Sequence, residues 1–397
     1  MKKIFKLFLL SFYLINGLYA TPIEIGMAIP DFSIPLVNQS DRIDQASLKD
    51  KITIIEFWAT WCSPCIGGMQ HLDELRAQYP ADLQVIAVSQ ESFERVRSFI
   101  QQKDFDFLYA IDSEDVLNNY FPHRIIPHSI IIDQQGVVRA ITKPSDIKPE
   151  TIQQLITRKD IHLPLKAENT SFDYFADYFK ADTNTLEKFE IQPSIPGIGT
   201  FSKNPNSGPF AGRRISLHNY MIDDMYRTAY QTSIYRMLYE MDKAQFDYEN
   251  PKHKFCLDLI VKPEEQALLY PMLIEELEKT FPIKTRLEQK TLDVAVLFRI
   301  DSIPVQLLPG TSGDQMTARG DYYKNSNASF EDLSSYLEDY GIVGLPVLNE
   351  TGDSNAYQID FSFSPEEKGS FQAALREMGL GIKRAQRVIE VLILSEE

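Results

Sequence analysis

The chain has 397 residues, 44% of them hydrophobic, and carries 56 Asp and Glu against 40 Lys and Arg, a net charge of −16. That length suggests two or three domains with sizeable cores, and so acidic a balance excludes nucleic acid or anionic lipid as partners drawn by the bulk field. Only three cysteines are present, Cys62, Cys65 and Cys256, which excludes a scaffold stapled by disulfides.

Residues 1–20 read as a signal peptide. Lys2, Lys3 and Lys6 form a positive start, Leu7 to Leu18 an apolar stretch, and Leu18-Tyr19-Ala20 a cleavage site. The apolar stretch is short for a membrane span, so cleavage after Ala20 is expected; an uncleaved anchor is the alternative and the one route to membrane attachment. Cleavage leaves a charge of −19. Export places the chain in the periplasm or cell envelope, where thiols oxidise.

Residues 21–160 alternate strand and helix. Ile52–Trp58 is a near-continuous apolar run suited to a central strand. Ser63–Tyr79 has helical spacing through Ile66, Met69, Leu72 and Leu75. Leu83–Val88 is a second buried strand, Glu91–Lys103 a charged helix, Phe107–Ile111 a short edge strand and Val116–Phe121 a turn or two of helix. Ser129–Asp133 and Val137–Thr142 flank Gln134-Gln-Gly136 as a hairpin, and Pro149 opens a last helix. The pattern is that of an α/β sheet with helices on both faces.

The chemistry lies at Trp58-Ala-Thr-Trp-Cys-Ser-Pro-Cys65. Two thiols at this spacing can close and reopen a small disulfide ring. A strand leading into the motif and a helix leaving it put Cys62 at a helix N-terminus, where unpaired amides favour a thiolate. The thiolate is the attacking species in disulfide exchange. Cys65, one turn on, is placed to resolve the mixed disulfide. No His lies between the cysteines, which points to a reducing or balanced potential. Glu56 sits mid-strand among Ile54, Ile55 and Phe57, where burial raises a carboxyl pKa; near Cys65 it could accept that thiol's proton. Pro127 opens the strand after Arg124-Ile-Ile, and a cis bond facing the thiols is expected there.

Residues 26–158 resemble the thioredoxin-like TlpA/ResA class of exported thiol-disulfide oxidoreductases. The matching pieces are Gly26-Met-Ala-Ile-Pro-Asp-Phe32, Leu48-Lys-Asp-Lys51, Glu56 through Cys65, and Ile126-Pro127 before Ile130-Ile-Ile-Asp133-Gln-Gln-Gly136. The resemblance implies Cys62 as nucleophile, Cys65 as resolving thiol, a redox-active Cys62–Cys65 disulfide, and Trp61, Ile126 and Pro127 along the substrate groove. Glu56 falls where related proteins carry a buried acid. The 61 residues between Cys65 and Pro127 suit this class. The chain departs where an acid and a helix-kinking Pro are usual, with Gly68 and Gln70 there and Gly67 alongside.

Residues 161–199 read as a linker with a few packed aromatics. Residues 200–397 hold a weak internal repeat. Ile215–Tyr226 matches Ala328–Tyr340, each read as a helix with Ser at its N-cap. Phe255–Glu265 matches Tyr357–Glu367, each a strand followed by Pro-Glu-Glu opening a helix. Each copy then ends in two strands, Ile283–Leu287 with Val294–Phe298, and Ile382–Arg384 with Val388–Leu394. The expectation is an α+β domain of two helix–strand–helix–strand–strand units. This half resembles uncharacterised modules of bacterial envelope proteins, through Ile215–Tyr220, Phe255–Pro263, Leu345–Gly352, Ala374–Leu380 and Glu390–Leu394. That likeness carries no activity.

The expected function is reduction of disulfides in envelope proteins, with electrons from an unidentified membrane donor and no cofactor. The alternatives are an envelope binding or assembly protein that uses the thioredoxin-like domain as a scaffold, and a thiol peroxidase, for which Thr60 precedes Cys62. A zinc site would need a second Cys-x-x-Cys or paired His, and neither occurs.

Overall fold

A computed structural model describes residues 21–37, 41–101, 105–246, 250–301, 307–311, 316–365 and 367–396. The expected signal peptide lies outside the described residues. No helix among the described residues is long and apolar enough to cross a membrane.

The N-terminal elements are β1 (Ser33–Pro35), β2 (Arg42–Asp44), β3 (Ile52–Phe57), α1 (Ser63–Gln78), β4 (Leu83–Ser89), α2 (Phe93–Ile100), β5 (Leu108–Ile111), α3 (Val116–Tyr120), β6 (His128–Ile132), β7 (Val138–Thr142) and α4 (Pro149–Ile156). Five strands form one sheet in the order β5-β4-β3-β6-β7. β3, β4 and β5 run parallel, while β6 and β7 are antiparallel. Central β3 is buried along its whole length. Ile52 and Ile54 face a core with Met69, Leu72 and Leu75 of α1. Ile55 and Phe57 face the opposite core with Leu117 and Phe121. Each such aliphatic side chain contributes about 1.5–3 kcal/mol on full burial. The alternation of faces along a strand decides where Glu56 points.

The second half continues with β8 (Lys188–Pro193), β9 (Phe201–Lys203), β10 (Arg214–Met221), α5 (Ile222–Ala229), β11 (Met237–Glu240), β12 (Lys254–Ile260), α6 (Leu269–Thr280) and β13 (Ile283–Arg299). Then follow β14 (Leu308–Pro309), β15 (Met316–Arg319), β16 (Tyr322–Ala328), α7 (Phe330–Asp339), β17 (Val347–Asn349), β18 (Tyr357–Ser362), α8 (Ser370–Glu377) and β19 (Leu380–Glu396). Three four-stranded sheets result, β8-β12-β10-β9, β11-β19-β13-β17 and β14-β18-β16-β15.

The repeat is present but differs from the sequence expectation. Each copy runs strand–helix–strand–strand–helix–strand, and strands predominate. Ile215–Met221 is strand, not helix, and Ser216 is no N-cap: its hydroxyl bonds Asp258 on the neighbouring strand at 2.6 Å. Ser329 does cap α7, accepting from the Asp332 amide. The two closing strands of each copy are one 17-residue strand. Neither Glu288–Asp293 nor Ala385–Arg387 holds a Gly or Pro to turn the chain. Residues 188–193, inside the expected linker, form β8 and pair with β12. The Pro263-Glu-Glu run opens a 3-10 turn ahead of α6; Glu366 of its counterpart lies outside the described residues.

β13 and β19 pair antiparallel over their full length, from Ile283↔Glu396 to Arg299↔Leu380. β11 of the first copy lies parallel to β19, and β17 of the second parallel to β13. Leu392 and Leu394 of β19 enter the core of the first copy beside Met225 and Leu273. Ala295 and Leu297 of β13 enter the core of the second beside Phe330 and Leu333. Each copy therefore completes its core with the other's long strand. Glu338 ties them further, accepting from Arg236 at 2.6 and 2.8 Å and from the Val347 amide at 2.7 Å.

Candidate active site

β3 leads through Trp58–Trp61 into α1, and Cys62 is the N-cap of that helix. Cys62 and Cys65 form a disulfide, and the Cys65 amide donates to Cys62 Sγ at 3.3 Å. Cys62 keeps 5% of its surface exposed and Cys65 none, so a partner sulfur reaches Cys62 first. Trp61 beside them is 60% exposed. The approach loop is held by Glu91, which accepts from the Thr60 amide at 2.6 Å and its hydroxyl at 2.9 Å. Arg95 donates to that hydroxyl at 2.9 Å and reaches Asp321 of the C-terminal half at 3.6 Å.

Glu56 shares its strand face with Ile52 and Ile54, the face on which Cys65 and Met69 pack. Its side chain is fully buried. The β3–β6 register sets Glu56 opposite Ser129 and Phe57 opposite His128. The Ser129 hydroxyl donates to Glu56 Oε2, and Oε1 has no hydrogen-bond partner among the described residues. Burial pushes the carboxyl up to about 8, against the opposing pull of Ser129 and of the Lys166 charge. The Ile126–Pro127 peptide bond is cis. Ile126 is half-buried and packs on both cores of the sheet.

A third contribution comes from residues 161–187, which carry no strand or helix. The Lys166 ammonium donates to the Ile125 carbonyl, approaches His128 Nδ1 at 3.2 Å and pairs with Glu168 at 2.5 Å. It thus binds the chain on both sides of Ile126–Pro127. His128 is buried and stacks on His123 with ring centroids 4.5 Å apart. Burial drives both imidazoles toward the neutral form, and Lys166 adds to this. Lys166, Glu168, Glu91 and Arg95 escape a sequence reading, because they lie far from the cysteines in sequence and in no motif.

Beside the disulfide lies a cleft of about 700 Å3. Pro64, Gly67, His71, Ile126 and Pro127 line one side, and Ser194–Gly199, Asn219, Pro251 and Lys254 the other. His71 is bonded to the Ile147 carbonyl at 2.7 Å. The two glycines of α1 differ. A Cβ on Gly68 would lie 2.8 Å from Pro144 Cγ, so close packing of α1 on that turn requires glycine. A Cβ on Gly67 would meet nothing within 4 Å, although glycine costs the helix about 1 kcal/mol relative to Ala.

Cys256, the third cysteine, is fully buried, and its thiol is raised by that burial. Its sulfur accepts from the Asn219 amide at 3.4 Å. The aromatics of 172–179 pack mainly on one another and on Phe201, with Phe175 98% exposed.

A closed Cys-x-x-Cys disulfide at a helix start, beside a cis-Pro and over a buried carboxyl, defines a thioredoxin-like thiol site. Comparison with known sequences agrees. The AhpC/TSA family model matches residues 25–141. The thioredoxin-like protein YneN of Bacillus subtilis is 31% identical over 137 residues, 34% of this chain and 79% of that protein. The thiol-disulfide oxidoreductase ResA of Bacillus cereus is 30% identical over 132 residues, 32% of this chain and 76% of the relative. Among solved structures, a thioredoxin-family thiol:disulfide interchange protein from Chlorobium tepidum is 20% identical and covers 34% of this chain and 99% of its own, with a TM-score of 0.29. Residues 25–141 match the AhpC/TSA family, and through this part the chain belongs with the thioredoxin-like thiol-disulfide oxidoreductases.

Proposed function

We propose that this protein is an exported dithiol reductant of disulfides in cell-envelope proteins, with residues 21–160 as the exchange domain and 200–397 as a second domain. The observation that carries the reading is the Cys62–Cys65 disulfide, with Cys62 the less buried partner and with Pro64 between the cysteines sharing a cleft with cis-Pro127. A dithiol donor reduces the Cys62–Cys65 bond, supplying two electrons and two protons. The Cys62 thiolate, favoured at the α1 N-terminus, attacks one sulfur of the substrate disulfide. A mixed disulfide forms and the other substrate sulfur leaves as a thiolate, which is then protonated. Cys65 gives its proton to Glu56 and attacks Cys62. The substrate's second sulfur leaves as a thiolate that takes a proton from water, Glu56 gives up the proton it took, and Cys62–Cys65 is restored. The exchange needs no cofactor.

Changing Cys65 to Ser stops the cycle after the first step. Expressed in its native envelope, this variant is expected to accumulate mixed disulfides at Cys62 that a reductant releases. No adduct, together with no disulfide reduction by wild type, would favour the reading in which the thiol domain only scaffolds the C-terminal half. Peroxide consumption without disulfide reduction would favour a peroxidase.

Lys166 tunes the proton acceptor. Its positive charge lowers the Glu56 pKa, so Lys166→Met is expected to raise it further. The acid limb of the pH profile for resolution then moves to higher pH, while Lys166→Arg keeps it in place. An unchanged limb in Lys166→Met, with only KM altered, would reduce Lys166 to a support for the cis-Pro turn.

A further inference from the structure

We infer that the cleft between the thiol domain and the C-terminal half seats a short extended polypeptide segment around the substrate cysteine, with the C-terminal half supplying one of its two walls. The inference rests on the exchange function proposed above and goes beyond it in assigning one wall of the substrate cleft to the C-terminal half.

Four observations lead there. The cleft is lined by Pro64, which stands between the two cysteines on α1, and by cis-Pro127, so its occupant lies next to the helix turn that carries the disulfide. Its opposite wall is built to hold a shape. Asn219 stands at a bulge of β10 with φ of 54°, in the left-handed region that Asn tolerates. Its side chain is spent on that wall: Oδ1 accepts from the Ile195 amide at 2.7 Å, and Nδ2 donates to the carbonyls of Ile195 and Ile198 at 2.8 and 3.0 Å. The Asn169 amide holds the Gly197 carbonyl at 2.8 Å. A passive linker would not require such clamping.

Glycines keep the space clear. Gly67 on one wall and Gly199 on the other would each carry a Cβ into open space, and neither has a positive φ. No contact explains either glycine, but an occupied cleft would. The volume of about 700 Å3 falls among pockets that enclose small ligands, not among the flat faces that bind folded domains. With Ile126, Pro127, Pro144, Pro196 and Ile198 along it, the cleft suits a strand-like segment bearing apolar residues next to its cysteine. Disulfides in unfolded or flexible regions fit this description.

The test uses the full chain with Cys65→Ser and a short synthetic peptide. The peptide carries apolar residues, a photoreactive benzoylphenylalanine, and one cysteine activated as a pyridyl disulfide. Cys62 attacks the peptide sulfur, pyridinethione leaves, and light then links the peptide to its nearest neighbour. Photo-adducts are expected within 194–199 or 251–254. In the same background, Gly67→Phe is expected to lower the rate of peptide capture about tenfold relative to capture of small dipyridyl disulfide by the same preparation. Adducts confined to residues before 160, with the mixed disulfide formed, would overturn this inference alone. Failure of Cys62 to form a mixed disulfide with either reagent would overturn the exchange function and this inference with it.

Discussion

Glu56→Gln is expected to slow the resolution of mixed disulfides by about 10²–10⁴-fold above pH 8, where the wild-type carboxyl is ionised and free to take a proton, the usual loss when a positioned proton acceptor is removed. Gln has nearly the shape of Glu and can still accept from Ser129, so the fold and the first attack by Cys62 are retained. Mixed disulfide should therefore accumulate in the variant with Cys65 intact, measured by quenched-flow trapping. The pH dependence supplies a second reading. In the folded chain Glu56 titrates near 8, against an ordinary 4.5. A raised acid holds its proton more tightly when folded, so its contribution to stability is fully present below about pH 4.5. That contribution is lost as pH rises through 8. Wild type should lose stability between pH 5 and pH 8 relative to Glu56→Gln. Identical slopes would show that the carboxyl is not held in its neutral form.

Asp258→Ala is expected to cost the C-terminal half about 1–3 kcal/mol, because it removes the buried carboxylate that satisfies Arg214, Ser216 and Lys188 together. Asp258 is fully buried on β12, and Arg214 of β10 donates to it at 2.8 and 3.2 Å. Ser216 adds a bond at 2.6 Å and Lys188 of β8 a contact at 3.2 Å. The carboxylate therefore joins three of the four strands of its sheet. Arg214 would keep only Asp177, from the segment that precedes the domain. Urea unfolding followed by far-ultraviolet circular dichroism measures the loss. A change below about 1 kcal/mol would mean that water replaces the carboxylate without strain.

The parts of the site that were legible in sequence are local. A β-branched strand, two cysteines one helical turn apart and a Pro before an apolar strand each declare themselves within a few residues. Glu56 was legible for the same reason, as a charge inside an apolar run. Lys166 and Glu168 were not, because their segment has no period and its polar composition reads as solvated linker. Only the fold brings them under the cis-Pro turn. In the C-terminal half the repeat was visible, and Phe255–Glu265 was matched to its true counterpart, but the first pair of segments was set in the wrong register. Ile215-Ser-Leu-His alternates with a period of two, and helical spacing begins only at Met221. Matching Ser216 to Ser329 paired a strand residue with a helix cap. The long strands were split because their middles are polar, yet those middles lie in a ladder whose partner strand is equally polar there. Gly67 and Gly68, a departure from the expected helix, divide on structural grounds into one glycine required by Pro144 and one that leaves the cleft open.

The central claim is that Cys62 and Cys65 pass two electrons to a substrate disulfide. The direct measurement pre-reduces the full chain, removes the reductant, and counts new thiols in a disulfide-bearing protein under single-turnover conditions. Two substrate thiols are expected to appear for each Cys62–Cys65 disulfide formed, with Cys62→Ser giving none. Substrate thiols appearing equally in Cys62→Ser, or none appearing with fully reduced wild type, would contradict the account.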